Sequence, residues 1–233
     1  MLRDLLPDFL SLLFPSVCLA CGQSLRRGER HLCTGCRAEL PYTDFHLLPP
    51  ADSPLGRRFW GKLPVQYALS YLRFVQHGRV QQLLHQLKYQ GQQEVGVALG
   101  ELYGAELAGS GFTRQFDVIV PVPLHRRKLA RRGYNQAAAF AEGLGTGLAL
   151  PHRADALRRT EHTASQTRKS RAQRWQNVAT VFETAEPTQI SGHRVLLVDD
   201  VLTTGATLEA CGLALLAAGA AEVSIATIAC ADK

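Results

Sequence analysis

The sequence predicts an α/β protein, a parallel sheet with helices on its faces, preceded by a small lobe that metal holds together. Three observations carry this expectation. From residue 65 onward, strand-like apolar runs alternate with helical patterns, the signature of a parallel sheet. Four of the six cysteines, Cys18, Cys21, Cys33 and Cys36, form two CxxC pairs separated by eleven residues. The chain has 233 residues, 46% hydrophobic and 20% charged, which suits one to two domains and excludes wholesale disorder.

The chain opens on MLRDLLPDFLSLLFPSVCLAC. Leu2, Leu5, Leu6, Phe9, Leu10 and Leu13 fall on one broad face of a short amphipathic helix. This run covers about fourteen residues, short of the roughly twenty that a membrane-spanning helix needs. Asp4, Pro7 and Asp8 interrupt it, and a secretory leader would start with a basic segment. A lipoprotein cleavage site would place Leu or Val where Cys18 stands. The expected location is the cytoplasm, where thiols stay reduced and paired cysteines serve metals.

The two CxxC pairs supply four thiolates, and tetrahedral zinc takes four such ligands at about 2.3 Å. Cys18, Cys21, Cys33 and Cys36 are therefore candidate ligands of a closed structural zinc, in a module too short to build a core. An iron–sulfur cluster, disulfides or free thiols are the alternatives. His31 is expected at the surface, and Cys211 and Cys230 in the core. Residues 46–64, HLLPPADSPLGRRFWGKLP, hold four prolines and little periodicity, as a linker would. The expected division is a metal lobe at 1–45, a linker at 46–64 and an α/β domain at 65–233.

In that domain VQYALSYLRF has strand character, and RVQQLLHQLKYQG spaces Val80, Leu83, Leu84 and Leu87 as a helix does. Residues 93–107 follow as a second helix, 116–121 as a short buried strand and 135–148 as an Ala-rich helix. Then come a strand at 194–198, a helix at 207–218 and a final strand at 222–229.

The sharpest segment is VLLVDDVLTTGATL, starting at Val195. A buried strand ends, Asp199 and Asp200 follow, and a turn of Thr203, Thr204, Gly205, Ala206 and Thr207 opens a helix. Ligands of an open parallel sheet bind at the carboxyl ends of its strands. A helix N-terminus with hydroxyls and backbone N–H groups takes an anion, and glycine lets the backbone approach it. Carboxylates repel phosphate but accept hydrogen bonds from sugar hydroxyls. The order is hydroxyl readers followed by a phosphate cradle. No Gly-Lys-Ser/Thr follows the glycine, so a Walker A loop is excluded.

The net charge of +6 is concentrated. Residues 126–174 hold twelve basic side chains against Glu142, Asp155 and Glu161, and the remainder is slightly acidic. Such a block suits a ligand with several phosphates, or nucleic acid with Tyr134 or Trp175 stacking on bases. Lys128, Arg168 and Lys169 taken singly are expected as solvated surface.

The Asp-Asp and Thr-Thr-Gly-Ala-Thr segment resembles the phosphoribosyl pyrophosphate (PRPP) signature of type I phosphoribosyltransferases. The whole arrangement resembles the ComF family of competence proteins, which includes proteins called GntX. Its landmarks here are the four cysteines, Lys88-Tyr89 with Gly91, Val120-Pro-Val-Pro123, Arg131-Arg-Gly-Tyr-Asn-Gln136, Thr163 with Gln166, Arg174 and Asn177, and residues 199–207.

The resemblance implies a parallel-sheet, Rossmann-like type I phosphoribosyltransferase core behind a zinc-ribbon-like lobe. It makes Asp199 and Asp200 the catalytic, ribose-binding pair, and the 203–207 turn the 5′-phosphate site. It assigns pyrophosphate to Pro121, Val122, Pro123, Arg126, Arg131 and Arg132, with Mg²⁺ bridging the substrate oxygens. Thr163, Gln166, Arg174 and Asn177 would belong to a flexible loop over the reaction centre. It further implies a role in DNA uptake during natural competence. The rival is a non-catalytic module that binds single-stranded DNA or docks a competence-machinery protein such as a helicase. The acceptor is undefined, and Lys88 and His125 are weak candidates for a general base.

Overall fold

The computed structural model describes residues 16–159 and 181–231. The leucine-rich N-terminal stretch, Trp175 and the expected loop residues Thr163, Gln166, Arg174 and Asn177 lie outside them. In chain order the elements are α1 (Thr34–Glu39), β1 (Ala68–Phe74), α2 (Arg79–Tyr89), α3 (Gln93–Gly109), β2 (Val118–Pro121), α4 (Arg126–Arg132), α5 (Gln136–Leu148), β3 (Leu157–Arg159), β4 (Phe182–Thr184), β5 (Arg194–Leu202), α6 (Ala206–Ala217) and β6 (Glu222–Ala231). Each strand and helix expected from pattern in the α/β part is present.

Four strands form one sheet in the order β1-β6-β5-β2, all parallel, as expected. Successive strand residues face opposite sides. Leu196 and Val198 pack under α2, α3 and α5, while Val195 and Leu197 pack with α6 and the β3–β4 pair. Cys211 and Cys230 are buried on the second side. Strands β3 and β4 pair antiparallel beside this layer. Two features escaped the pattern: that pair, and α4, a helix where the basic block suggested a loop. Helix α4 is exposed almost throughout and has no apolar stripe to announce it.

The stretch expected as a linker is packed. Residues 45–59 form three 3-10 turns, and Leu55, Phe59 and Leu63 are buried against α6 and β1. Leu55, Phe59 and Leu63 recur every four residues, but in a stretch with four prolines, and proline content dominated the expectation. No helix among the described residues is long and apolar enough to cross a membrane.

The metal lobe shares its core with the sheet. Cys18, Ala20, Leu32, Cys36 and Leu40 pack in the same cluster as Tyr71, Leu83 and Leu99. The four cysteine sulfurs lie within 4.8 Å of one another. Cys21 and Cys33 stand 3.8 Å apart, a non-bonded separation, and tetrahedral zinc bonds of about 2.3 Å set sulfurs about 3.8 Å apart. The Cys33 N–H donates to Cys18 Sγ at 3.3 Å and the Cys36 N–H to Cys33 Sγ at 3.4 Å, which favours thiolates. The donor set fits structural zinc. Arg79, the first residue of α2, donates to Cys36 Sγ at 2.6 Å and pairs with Glu39 at 2.5 Å, joining lobe to sheet. His31 turns away to Glu101 of α3, 3.3 Å off.

Helices α3 and α5 meet backbone to backbone. Gly96, Gly100 and Gly104 line one side, Ala139, Gly143 and Gly147 the other. A Cβ at Gly143 would stand 2.0 Å from the Val97 carbonyl oxygen and 2.7 Å from the Glu101 nitrogen, so neither helix could keep its place.

Two outcomes follow. In urea denaturation, Gly143→Ala loses about 2 kcal/mol or more by overpacking, whereas Gly109→Ala, facing open space, stays within about 0.5 kcal/mol of wild type. Native mass spectrometry of freshly purified, reduced protein finds a bound zinc ion. Cys33→Ser loses the metal and melts lower; metal-free wild type with unchanged melting would contradict the assignment.

Candidate functional site

Strand β5 carries the centre of the site. Its apolar run ends at Val198, but the strand continues through Asp199 and Asp200 to Leu202. Both carboxylates are thus fixed by sheet hydrogen bonds. Asp199 Oδ1 accepts the Asp200 N–H at 2.8 Å. Desolvation, and then the neighbouring Asp200 charge, push the Asp199 carboxyl up to about 7. Asp200 Oδ2 holds Lys88 Nζ at 3.0 Å.

The turn after β5 presents Thr203, Thr204, Ala206 and Thr207 to solvent and buries Gly205. Gly205 has φ +83° and caps α6, a conformation that glycine adopts without strain. A Cβ there would also meet the Phe59 ring at 3.1 Å. With Asp199, the turn encloses a recess of about 40 Å³ at the α6 N-terminus. Arg58 braces it, donating to the Thr203 carbonyl at 3.0 Å and the Ala231 carbonyl at 2.7 Å. Phe59 and Arg58 are residues that sequence reasoning missed, because they fall in the stretch expected as a linker.

The second loop reaches the same edge through strand register. Pro121 pairs with Val198, and the Val122 N–H donates to the Val198 carbonyl at 2.8 Å. Val122 and Pro123 therefore leave the sheet beside Asp199. Asn135 anchors this loop from behind: its Nδ2 donates to the Val122 carbonyl at 2.9 Å while its Oδ1 caps α5.

Helix α4 divides the expected basic residues. Lys128, expected as surface, lines an open cleft of about 580 Å³ together with Lys88, Asp200, Thr203 and Thr207. Arg126 and Arg131 are exposed on α4. Arg132 donates to Gln136 at 2.7 Å and lies over the Tyr89 ring, 5.5 Å from its centroid. His125 Nδ1 caps α4 by accepting the Arg127 N–H at 3.1 Å. The Tyr134 hydroxyl donates to the Leu87 carbonyl, so its ring packs rather than standing free to stack.

The site is therefore two loops and a carboxylate pair at the carboxyl ends of adjacent parallel strands, with cations from α2 and α4 facing them. Residues 106–233 match the phosphoribosyl transferase domain, and residues 9–46 the double zinc ribbon domain. The chain is 32% identical over 212 residues to the DNA utilization protein YhgH of Escherichia coli K12, covering 90% of this chain and 88% of that one. Competence protein F of Haemophilus influenzae is 28% identical over 89% of this chain and 94% of its own. Competence protein ComFC of Bacillus subtilis is 25% identical over 88% and 86%. Matched along nearly its whole length to these relatives, and built as a zinc ribbon on a phosphoribosyltransferase core, the chain belongs to the ComF family of competence proteins.

Proposed function

We propose that the protein binds PRPP as its Mg²⁺ complex and transfers the phosphoribosyl group, in the service of DNA uptake or utilization. The observation that carries this reading is the β2–β5 register, which sets the 121–123 loop beside Asp199 and, one strand end further, the 203–207 turn. Those are the places where a pyrophosphate, a ribose and a 5′-phosphate of one molecule would lie. The names of the relatives supply the DNA context.

In this reading Asp199 and Asp200 accept hydrogen bonds from the ribose hydroxyls, which displace Lys88 from Asp200. Thr203, Thr204, Gly205, Ala206 and Thr207 hold the 5′-phosphate through hydroxyls and the first N–H groups of α6. Pro121, Val122 and Pro123, with Arg126, Arg131 and Arg132, take the pyrophosphate, and Lys128 joins them from the cleft wall. Mg²⁺ suits the site because it prefers oxygen ligands and substrate phosphates, and the two carboxylates add oxygens at the strand end. In the transfer, the C1′–O bond to pyrophosphate breaks as the acceptor's lone pair bonds to C1′. The protein positions the partners and stabilises the departing charge.

A second reading, single-stranded DNA handling, is favoured by the exposed arginines of α4. Its partner would be DNA alone or a helicase-like protein. Strand binding that weakens with salt and survives Asp199→Asn/Asp200→Asn would support it.

Calorimetry tests the first reading. Wild type binds PRPP only with Mg²⁺, and Asp200→Asn weakens binding about 10- to 100-fold, as expected for lost charge-assisted hydrogen bonds. Equal binding by the double Asp→Asn variant would sink it. The raised Asp199 pKa makes a separate prediction. A carboxyl whose folded pKa lies above its unfolded value costs stability increasingly as pH rises from about 4 to about 7. Ligand-free Asp199→Asn therefore melts about 2–6 °C above wild type at pH 8 and within about 1 °C at pH 4.

A further inference from the structure

The stretch before β1 includes one 3-10 turn, Gly56–Phe59, that touches the carboxyl ends of β5 and β6. Its backbone is fixed on both sides. The Arg58 N–H donates to the Leu55 carbonyl at 3.1 Å, and the Leu63 N–H to the Phe59 carbonyl at 3.0 Å. Leu55, Phe59 and Leu63 are buried. The two arginines of this turn then part. Arg57 is exposed, with its guanidinium 5.9 Å from the centroid of the Trp60 ring. Arg58 is half-buried, and both it and Phe59 reach the 203–207 turn.

These two contacts fall on either side of Thr204. The Phe59 ring lies 3.1 Å from where a Gly205 Cβ would stand. Arg58 Nη1 donates to the Thr203 carbonyl at 3.0 Å and Nη2 to the Ala231 carbonyl at 2.7 Å. Thr203 directly follows β5 and Ala231 ends β6, so one planar fork ties two adjacent strand ends. The consequence lies across one peptide bond. No peptide among the described residues is cis, and a trans peptide points its carbonyl and its N–H in opposite directions. With the Thr203 carbonyl held by the guanidinium, the Thr204 N–H is turned to the other side. The recess of about 40 Å³ is lined by Thr203 and Thr204 and not by Arg58, so the grip comes from outside it. A released peptide is free to turn over, and its carbonyl oxygen, which repels anions, would then face the recess.

We propose that Arg58 is a positioning residue for the phosphate turn: by holding the Thr203 carbonyl outside the recess, it aims the Thr204 N–H into it, at the 5′-phosphate. A donor aimed in advance needs no reorientation when the anion arrives. Arg58 touches no ligand in this role and acts through the Thr203–Thr204 peptide. The inference rests on the phosphoribosyl reading and adds to it a residue from the stretch before β1.

The test uses the full-length, zinc-loaded protein with Mg²⁺ and two probes, ribose 5-phosphate and pyrophosphate, each titrated by calorimetry. Wild type binds both. Arg58→Met, which keeps an unbranched stem and removes the donors, weakens ribose 5-phosphate about tenfold and leaves pyrophosphate within about twofold. Arg58→Lys keeps the charge without the fork and stays at least about threefold weaker than wild type for ribose 5-phosphate. Arg57→Met removes a charge from the same turn and leaves both affinities within about twofold. In amide NMR spectra, ribose 5-phosphate shifts the Thr204 amide proton downfield in wild type and less in Arg58→Met. Ribose 5-phosphate binding unchanged in Arg58→Met, or fully restored in Arg58→Lys, would overturn the proposal while sparing the phosphoribosyl reading. Equal loss of both probes in Arg58→Met would make Arg58 a general brace and overturn it as well. A wild type that binds no ribose 5-phosphate would overturn it together with the reading of 203–207 as a phosphate site.

Discussion

The parallel pairing of β5 between β2 and β6 is the constraint from which the site follows. Parallel strands carry their carboxyl ends to one edge of the sheet, and β5 continues past Val198 through Asp199 and Asp200 at that edge. Ladder hydrogen bonds thereby hold two adjacent carboxylates where loops alone would leave them mobile. The cost is visible in Asp199, whose charge is desolvated and crowded by Asp200. A hydroxyl donor arriving there would relieve part of the same crowding. Lys88 offsets part of the repulsion until then.

Helix α2 links the two halves of the molecule. Its first residue, Arg79, touches a cysteine sulfur and Glu39 of the metal lobe, and Lys88 near its end touches Asp200. Between them, Val80, Leu83, Leu84 and Leu87 fill the core beneath. The lobe therefore does more than close on itself: its cysteines and Leu32 complete the hydrophobic layer that seats α2. On the other side of the sheet, residues 45–63 play the matching part, with Phe59 under Gly205 and Leu63 against Gly212. The 203–207 turn is thus braced by chain from outside the β5–α6 unit.

Much of this was legible in the sequence, for definable reasons. Buried parallel strands read as continuous apolar runs, so β2, β5 and β6 were plain. The Asp-Asp and Thr-rich turn was plain because its residue types have few other uses together. Two CxxC pairs pointed to metal through spacing alone. What escaped was packing under a proline-rich stretch. Phe59 and Arg58 act from that stretch through tertiary contacts with the 203–207 turn. Helix α4 is exposed and basic, so it lacks the apolar stripe by which helices are recognised. The glycines of α3 and α5 register in sequence as weak helix formers. Their value, letting two backbones touch, exists only when both helices are in place.

The most direct measurement is hydrogen–deuterium exchange of the full-length protein with and without Mg²⁺ and PRPP. The account predicts added protection at 203–207 and in the loop following Pro121, with the α3–α5 contact unchanged. Protection confined to α4, or its absence at both loops, would contradict a phosphoribosyl site at the end of β5.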